Sequence, residues 1–404
     1  MSTQQCVTKE LLEESFRTFL GDENIKILGY SVKAAVPIGD NYTSQLYRAQ
    51  VTFALSNESQ ESMSVIIKIE FKDTVMGFLT AGLQFFSKEM EMFSKTLPLM
   101  YDALGPDYEG CLSSLSLLTK NEPNAILVLQ DLQPLGFKMV PRQMGLDLEH
   151  CQMVMKKIAQ FHAASVVVTD KDPSAMKNYS SGMYSKNDLV SEWMRKGVES
   201  LAESCLQWQG LEKYGAKMQK LLPDILMKAD ESCRKKLGGF NVINHGDLWV
   251  NNMLFSYHAN SGKLKDLRFV DFQVVHYTSP AVDLHYFLAT SPSEEVRKLH
   301  METLLDSYYG HLLATLSNMN YSLSSVPSRE EFRKDLNSRA LQGLMGAATV
   351  APLVRASHRE DATFEDLMGD STEGSFRHHC YTNEKFKKSM EQYIPYLDRL
   401  GALD

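Results

Sequence analysis

One change in sequence pattern constrains the fold of this chain more than any other feature. Up to about residue 131, apolar segments are short, rich in Val, Ile, Tyr and Phe, and separated by turn residues, as in "LYRAQVTFAL" (46–55) and "SMSVIIKIEF" (62–71). Beyond that point, apolar residues recur with a helical period over long stretches. In "DLEHCQMVMKKIAQFHAAS" (147–165), for example, Asp147 is placed to cap a helix. A strand-rich front and a helix-rich back predict an α+β fold built from two lobes.

The chain has 404 residues, which is long for one hydrophobic core. We place the lobe boundary in "LQDLQPLG" (129–136), so that residues 1–131 form the N-terminal lobe and residues 132–404 the C-terminal lobe. The patterns predict helices at 8–20, 83–97 (ended by Pro98), 147–165, 187–237, 293–318, 328–357 and 383–400. They predict strands at 25–36, 46–55, 62–71, 111–119, 124–132, 240–256 and 264–275.

Charge and composition exclude several classes of protein. A net charge of -8 argues against a nucleic-acid surface, and the chain has no apolar run long enough for membrane insertion. The six cysteines form no CxxC pair, and the first residues contain no apolar signal segment. We therefore expect reduced thiols and a cytoplasmic location, while the oligomeric state stays open.

The segment "HGDLWVNN" (245–252) is unusually polar for a stretch flanked by apolar strands. Asp and Asn are common turn formers, so this run alone is weak evidence of function. Three further features strengthen it. Asn252 follows Asp247 by five positions, Asp271 ends the strand-like "LKDLRFVDFQ", and Lys68 interrupts the apolar strand "SVIIKIEF".

These residue types are the ones that phosphoryl transfer requires. Such a site needs one carboxylate to orient the attacking hydroxyl, and an amide with a second carboxylate to supply the oxygen ligands that Mg²⁺ prefers. It also needs a lysine to neutralise the nucleotide phosphates, although a strand lysine such as Lys68 by default faces solvent. Glu89, in "FFSKEMEMF" (85–93), is the candidate partner of Lys68.

The motifs resemble the protein-kinase-like fold of small-molecule kinases, such as aminoglycoside phosphotransferases and choline kinases. The closest likeness is to the insect ecdysteroid-kinase-like family. The resemblance rests on "HGDLWVNNMLF" (245–255), "VDFQ" (270–273) and "SPAVDLHYFL" (279–288), supported by "GDNYTSQLYR" (39–48), "IIKIEF" (66–71), "FSKEMEMF" (86–93), "LVLQDL" (127–132) and "FHAAS" (161–165).

The resemblance implies a role for each of these residues. Asp247 and Lys68 would be catalytic, Asn252 and Asp271 would bind Mg²⁺, and Glu89 would pair with Lys68. The loop from Gly39 to Ser44 would cover the ATP phosphates, with Gly39, Asn41 and Ser44 as contacts. The backbone near Gln130 and Leu132 would bind adenine. Asp283 resembles a buried structural aspartate below the catalytic loop.

Two departures separate the chain from protein kinases and favour a small-molecule substrate. The sequence contains neither G-x-G-x-x-G nor D-F-G, because Gln273 stands where the last glycine would be. The resemblance thus implies a kinase dependent on ATP and Mg²⁺ that phosphorylates a hydroxyl of a small apolar molecule, an ecdysteroid or a xenobiotic.

Alternatives to this function remain open. The acceptor would be cationic if the chain were of the choline or aminoglycoside type, and a pseudokinase would bind ligand without turnover. Candidate walls of the acceptor pocket are Tyr184, Trp193, Tyr286 and Tyr308, although ordinary core packing explains these residues at least as well. We expect His162 and His245 to be structural rather than catalytic.

Overall fold

The computed structural model is a mixed α/β chain in which strands lead and helices follow. It describes residues 7–35, 44–70, 83–122, 124–180, 184, 188–359 and 361–404. The strands are β1 (Lys26–Ala34), β2 (Ser44–Ala54), β3 (Gln60–Glu70), β4 (Ser116–Lys120), β5 (Ile126–Gln130), β6 (Val242–Asn244), β7 (Met253–Tyr257), β8 (Leu264–Phe269) and β9 (His276–Thr278). The helices are α1 (Lys9–Leu20), α2 (Phe85–Glu91), α3 (Leu97–Leu104), α4 (Leu148–Lys171), α5 (Asp188–Gln207), α6 (Glu212–Leu221), α7 (Ile225–Cys233), α8 (Ala281–Thr290), α9 (Glu294–Leu299), α10 (Met301–Asn318), α11 (Arg329–Ser338), α12 (Leu341–Thr349), α13 (Ala351–Arg355), α14 (Phe364–Met368), α15 (Phe376–Thr382) and α16 (Glu384–Arg399).

The first five strands form one antiparallel sheet in the order β1-β2-β3-β5-β4. In β3, Val65, Ile67 and Ile69 are buried in the same cluster as Phe16 of α1, so α1 covers that face of the sheet. Side chains alternate between the faces of a strand, which places Lys68 on the opposite face. The period-2 pattern of "SVIIKIEF" therefore places its one lysine, Lys68, on the face of the sheet that α1 does not cover.

The prediction that Pro98 ends a helix was wrong. After α2, the helical path continues through a π-helical segment, Met92–Thr96, and then into α3. Pro98 lies in the first turn of α3, where a backbone N–H is not needed for hydrogen bonding within the helix. The hydrogen-bond register changes in the π segment, so Pro98 can lie at this position, where a continuous α-helix would exclude a proline.

Helices dominate the remainder of the chain, and two short antiparallel strand pairs interrupt them. These pairs are β6 with β9 and β7 with β8, which confirms the strands predicted within 240–256 and 264–275. The three-residue β9 was not predicted as a separate strand. The segments joining these strands carry Asp247, Asn252 and Asp271, so the two pairs position the polar run.

Buried apolar residues form two clusters that meet at the central strands. The first contains residues of α1 and the sheet, and the second extends from Leu83 to Leu403. Neighbouring residues of β5 divide between them, since Val128 belongs to the first and Leu127 to the second. Helix α2 precedes residue 131 but packs in the second cluster. The division of the chain into an N-terminal lobe ending at residue 131 and a C-terminal lobe beginning at residue 132 stays a prediction.

Within the described part of the chain, no helix combines the length and the apolar character that crossing a membrane requires.

Candidate functional site

Lys68 and Asp271, which are 203 positions apart in the chain, meet in the folded protein. Lys68 Nζ lies 2.8 Å from Asp271 Oδ1 and 2.5 Å from Glu89 Oε2. Burial alone lowers the pKa of Lys68, but the charges of Asp271 and Glu89 hold that pKa above its ordinary value. The lysine is therefore charged in a nearly solvent-free position. Glu91, the alternative acid on the same turn, instead accepts a hydrogen bond from Asn178.

Asp271 has a backbone conformation that non-glycine residues rarely adopt. Its φ angle is 68°, in the left-handed region. The next residue, Phe272, is fully buried, with its ring 5.7 Å from that of Phe161 and 4.9 Å from that of His245. Gln273 Nε2 donates to Asp271 Oδ2 at 3.2 Å, so the residue at the position of the missing glycine contacts the carboxylate. Such local strain is commonly stored at functional sites.

The carboxylate of Asp247 is hydrogen-bonded through both oxygens. Asn252 Nδ2 donates to Oδ2 at 2.8 Å and to the Asp247 backbone carbonyl at 3.0 Å. The Tyr286 hydroxyl donates to Oδ1 at 2.5 Å. Burial raises the pKa of Asp247, and the hydrogen bond from Tyr286 opposes that shift. The contact with Tyr286 was not predicted, because a residue 39 positions away leaves no local signal in the sequence.

Asp283 holds the backbone of the polar loop from below. It is fully buried, and its carboxylate accepts hydrogen bonds from the amides of His245 at 2.7 Å and Gly246 at 2.9 Å. His162 Nε2 lies 3.1 Å from the same carboxylate, and the Tyr308 hydroxyl satisfies the other nitrogen of that ring at 2.8 Å. Both His162 and His245 therefore contribute hydrogen bonds and packing that shape the loop.

Gly246 is the position in this loop where any side chain would collide with the backbone. Its φ angle is 80°, and an added Cβ would lie 2.2 Å from the Val274 carbonyl oxygen. We expect Gly246→Ala to lower the free energy of unfolding by at least about 2 kcal/mol, since strain and clash add. Denaturant unfolding measures this loss. The matched control is Gly310→Ala in α10, where nothing lies within 4 Å of the new Cβ. That variant should be stabilised by about 0.5–1 kcal/mol, and equal stability of the two variants would contradict the geometry.

The predicted nucleotide contacts are only partly within the described residues. Gly39 and Asn41 lie outside them, while Ser44 is buried at the start of β2, paired in register with Glu70 of β3. Gln130 Oε1 accepts a hydrogen bond from Arg268 Nη1 at 3.3 Å. The side chain of Gln130 is thus engaged towards β8.

The backbone turns sharply around Leu132, and this turn leaves the Leu132 N–H without a hydrogen-bond acceptor among the described residues. The Leu132 carbonyl accepts hydrogen bonds from the amides of Leu135 and Phe137, both at 3.2 Å. The preceding residue is anchored, because the Asp131 carboxylate accepts hydrogen bonds from Arg48 Nε and Ser64 Oγ, both at 2.7 Å. This segment therefore offers a fixed backbone donor of the kind that a nucleobase uses.

A small cavity of about 30 Å³ lies beside the polar loop. Three of the four predicted walls line it, namely Tyr184, Trp193 and Tyr286, whereas Tyr308 does not and lies in the core against His162. The remaining lining residues are Met194, Cys233, Gly246, Val274, His276, Val282, Gln342, Met345, Gly346, Thr349 and Val350. The contribution of α12 was missed, although its run of small and apolar residues, "LQGLMGAAT", is typical of a closely packed helix.

Among the described residues, no group of three or more His, Cys, Asp or Glu side chains is placed to hold a metal ion by itself. Mg²⁺ is usually held by only one or two carboxylates together with substrate phosphates and water. Asp247, Asp271 and Glu89 bring carboxylates together with a single lysine, Lys68, so negative charge is in excess among these four groups. The amide nitrogen of Asn252 is engaged with Asp247, which leaves its oxygen for another partner. Oxygen ligands and excess negative charge are what Mg²⁺ requires.

Comparison with known proteins identifies two similarities. The model of the ecdysteroid kinase-like family matches residues 38–321. The curated protein "Uncharacterized oxidoreductase dhs-27" of Caenorhabditis elegans is 22% identical over 331 residues, which make up 76% of this chain. The chain covers 38% of the length of that worm protein.

Proposed function

The chain belongs to the ecdysteroid kinase-like family, and from that premise we propose that it transfers phosphate from ATP, with Mg²⁺, to a hydroxyl of a small apolar molecule. The acceptor class is an ecdysteroid or a hydroxylated xenobiotic. One observation carries the proposal: Lys68, held by Glu89, contacts Asp271 beside the Asp247 loop. These side chains come from distant parts of the chain, and together they are of the kinds that a phosphoryl-transfer site needs.

Each of these side chains has a definite task in the proposed reaction. Asp247 orients the acceptor hydroxyl and takes up its proton, and Asn252 fixes the orientation of that carboxylate. Lys68 presents a fixed positive charge to the phosphates, and the ion pair with Glu89 prevents it from moving away. Asn252 and Asp271 would hold Mg²⁺, which when bound neutralises charge on the transferred group. Catalysis of this kind rests on positioning and electrostatics rather than on covalent chemistry.

The lining of the cavity supports a neutral acceptor. Most of its walls are aromatic, aliphatic and thioether side chains, and its polar members among the described residues, Cys233, His276, Gln342 and Thr349, include no carboxylate. A cationic acceptor would gain from the three aromatic rings through cation–π attraction, so choline belongs in any substrate test. The apolar lining nevertheless favours a steroid-like surface.

Two other readings receive less support. A pseudokinase would not need Lys68, Asp247, Asn252 and Asp271 in one place. An oxidoreductase using a nicotinamide dinucleotide would need parallel βαβ units, whereas every strand pair among the described β1 to β9 is antiparallel. The name of the worm protein therefore does not transfer to this chain. The cytoplasmic location remains a prediction.

The proposal is tested by ADP formation from ATP in the presence of ecdysone, a polyhydroxylated steroid. We expect turnover to depend on ecdysone and to fall at least a hundredfold when EDTA removes Mg²⁺, because the metal neutralises charge in the transition state. Adding excess Mg²⁺ should restore it. Stimulation by choline instead of ecdysone would select the cationic alternative. Nucleotide binding without turnover of any hydroxylated acceptor would favour the pseudokinase.

A further inference from the structure

The Tyr286 hydroxyl contacts the proposed catalytic carboxylate directly. Tyr286 and Asp283 lie three residues apart on α8, so they project from neighbouring positions of one helix. Asp283 holds the loop backbone, and Tyr286 donates to Asp247 Oδ1 at 2.5 Å. Burial raises the pKa of Tyr286, which keeps its hydroxyl protonated and able to donate.

Tyr286 also lines the small cavity, so the same side chain touches both the cavity and the carboxylate. The cavity of about 30 Å³ has room for roughly one water, whereas ligand pockets have volumes of roughly 300–1,000 Å³. An acceptor that enters on this side must enlarge the cavity. It must also reach the oxygen of Asp247 that the Tyr286 hydroxyl now contacts.

The second tyrosine of the cavity, Tyr184, belongs to a larger hydrogen-bond network. The Tyr184 hydroxyl donates to Gln342 Oε1 at 2.7 Å. Gln342 Nε2 donates in turn to the Ala229 carbonyl at 2.8 Å and to Ser232 Oγ at 2.6 Å. Among the described residues, the only hydrogen-bond partner of the Tyr286 hydroxyl is Asp247. Of the two tyrosines, Tyr286 is the one that an incoming hydroxyl can release.

We propose that Tyr286 is a gate whose hydroxyl takes, in the empty enzyme, the place on Asp247 that the acceptor hydroxyl takes during catalysis. This inference rests on the proposed function. Displacement exchanges one O–H donor for another on the same carboxylate, so a hydroxylated molecule compensates for the bond it breaks. A molecule of the same shape without a hydroxyl leaves Asp247 Oδ1 without a donor, although Asn252 still donates to Oδ2. The gate thereby selects hydroxylated acceptors over purely apolar ones.

The first test removes the gate and supplies its side chain as a free molecule. Tyr286→Ala should bind p-cresol, the side-chain analogue of tyrosine, about tenfold more tightly than toluene, as judged by thermal-shift titration. Adding Asp247→Leu to this variant should abolish the preference. Met345→Ala, the matched control, enlarges the same cavity without removing a hydroxyl and should show no preference for p-cresol. Equal binding of p-cresol and toluene to Tyr286→Ala would overturn the gate.

The second test keeps the phenyl ring, in case the alanine variant does not fold. In Tyr286→Phe, the KM for ecdysone should fall about fivefold to tenfold with kcat within twofold of wild type, because no hydroxyl needs to be displaced. A lower kcat with an unchanged KM would mean that Tyr286 positions Asp247 throughout catalysis, and the gate would be wrong. Ecdysone affinity from thermal shift gives the same comparison without turnover.

The p-cresol experiment involves no phosphoryl transfer, so the two proposals fail separately. Preference for p-cresol without ADP formation that depends on any hydroxylated acceptor would reject the proposed function and leave the exchange at Asp247 standing.

Discussion

Replacing Asp247 with asparagine is expected to lower ecdysone-dependent ADP formation by roughly 10²–10⁴-fold. The amide keeps the shape of the side chain, and its oxygen still accepts a hydrogen bond from the Tyr286 hydroxyl. It cannot take up the proton of the attacking hydroxyl. Its NH₂ group would also face Asn252 Nδ2, a donor that now bonds to Asp247 Oδ2. We therefore expect a loss of stability of only about 1 kcal/mol beside the large loss of rate.

The control for this variant is Asp306→Asn, which removes a carboxylate that pairs with Arg329 and Arg333 on the surface. Its rate should remain at the wild-type level, since exposed ion pairs contribute little. Affinity for a non-hydrolysable ATP analogue should be preserved in both variants. If Asp247→Asn turned over as fast as wild type, Asp247 would not be the residue that handles the acceptor proton.

The parts of this site that could be predicted from the sequence are those with a local signal. The single lysine in "SVIIKIEF" stands out because it interrupts an apolar strand, and Lys68 does lie on the face of β3 opposite the one that packs against α1. Glu89 and Glu91 differ by two positions, which places them on different faces of α2. The sequence could not decide between them without knowing which face α2 turns towards the sheet.

Long-range geometry is the part that the sequence did not reveal. The contact between Tyr286 and Asp247 joins a helix to a loop, and neither segment carries a pattern that specifies the other. The left-handed backbone of Asp271 has no marker in the sequence such as a glycine. The π-helical segment Met92–Thr96 likewise has no pattern that predicts it, and because of it Pro98 lies at the start of a helix rather than after its end.

Helix α8 explains how the loop and the acceptor side of the site are coupled. Asp283 fixes the amides of His245 and Gly246, while Tyr286, three residues later, contacts the Asp247 side chain. A shift of α8 along its axis would therefore move the backbone support and the gate together. This arrangement predicts that the position of the catalytic carboxylate and the volume of the cavity change in concert.

Lys68→Met should have the largest combined effect of any single substitution. Removing the ammonium leaves Glu89, which is 1% exposed, and Asp271 without their partner. We expect the free energy of unfolding to fall by about 3–5 kcal/mol, because an unpaired buried charge is costly. We also expect affinity for a non-hydrolysable ATP analogue to fall by at least a hundredfold, since the phosphates lose their fixed positive charge. Denaturant unfolding and nucleotide titration measure the two effects.

The matched control, Lys157→Met, separates these two effects. Lys157 is 7% exposed, close to the 5% of Lys68, and its Nζ lies 2.8 Å from Asp266 Oδ1 and 3.1 Å from the Cys111 carbonyl oxygen. Its removal should also destabilise the fold, by less than Lys68→Met because Lys157 pairs only with Asp266, which is as exposed as Asp271, and has no buried partner such as Glu89. Nucleotide affinity should be unchanged. If both variants lost stability and both kept wild-type affinity for the ATP analogue, Lys68 would be only a structural ion pair. Because stability and nucleotide affinity are measured independently, a destabilised Lys68→Met protein cannot be mistaken for one that has lost its phosphate contact.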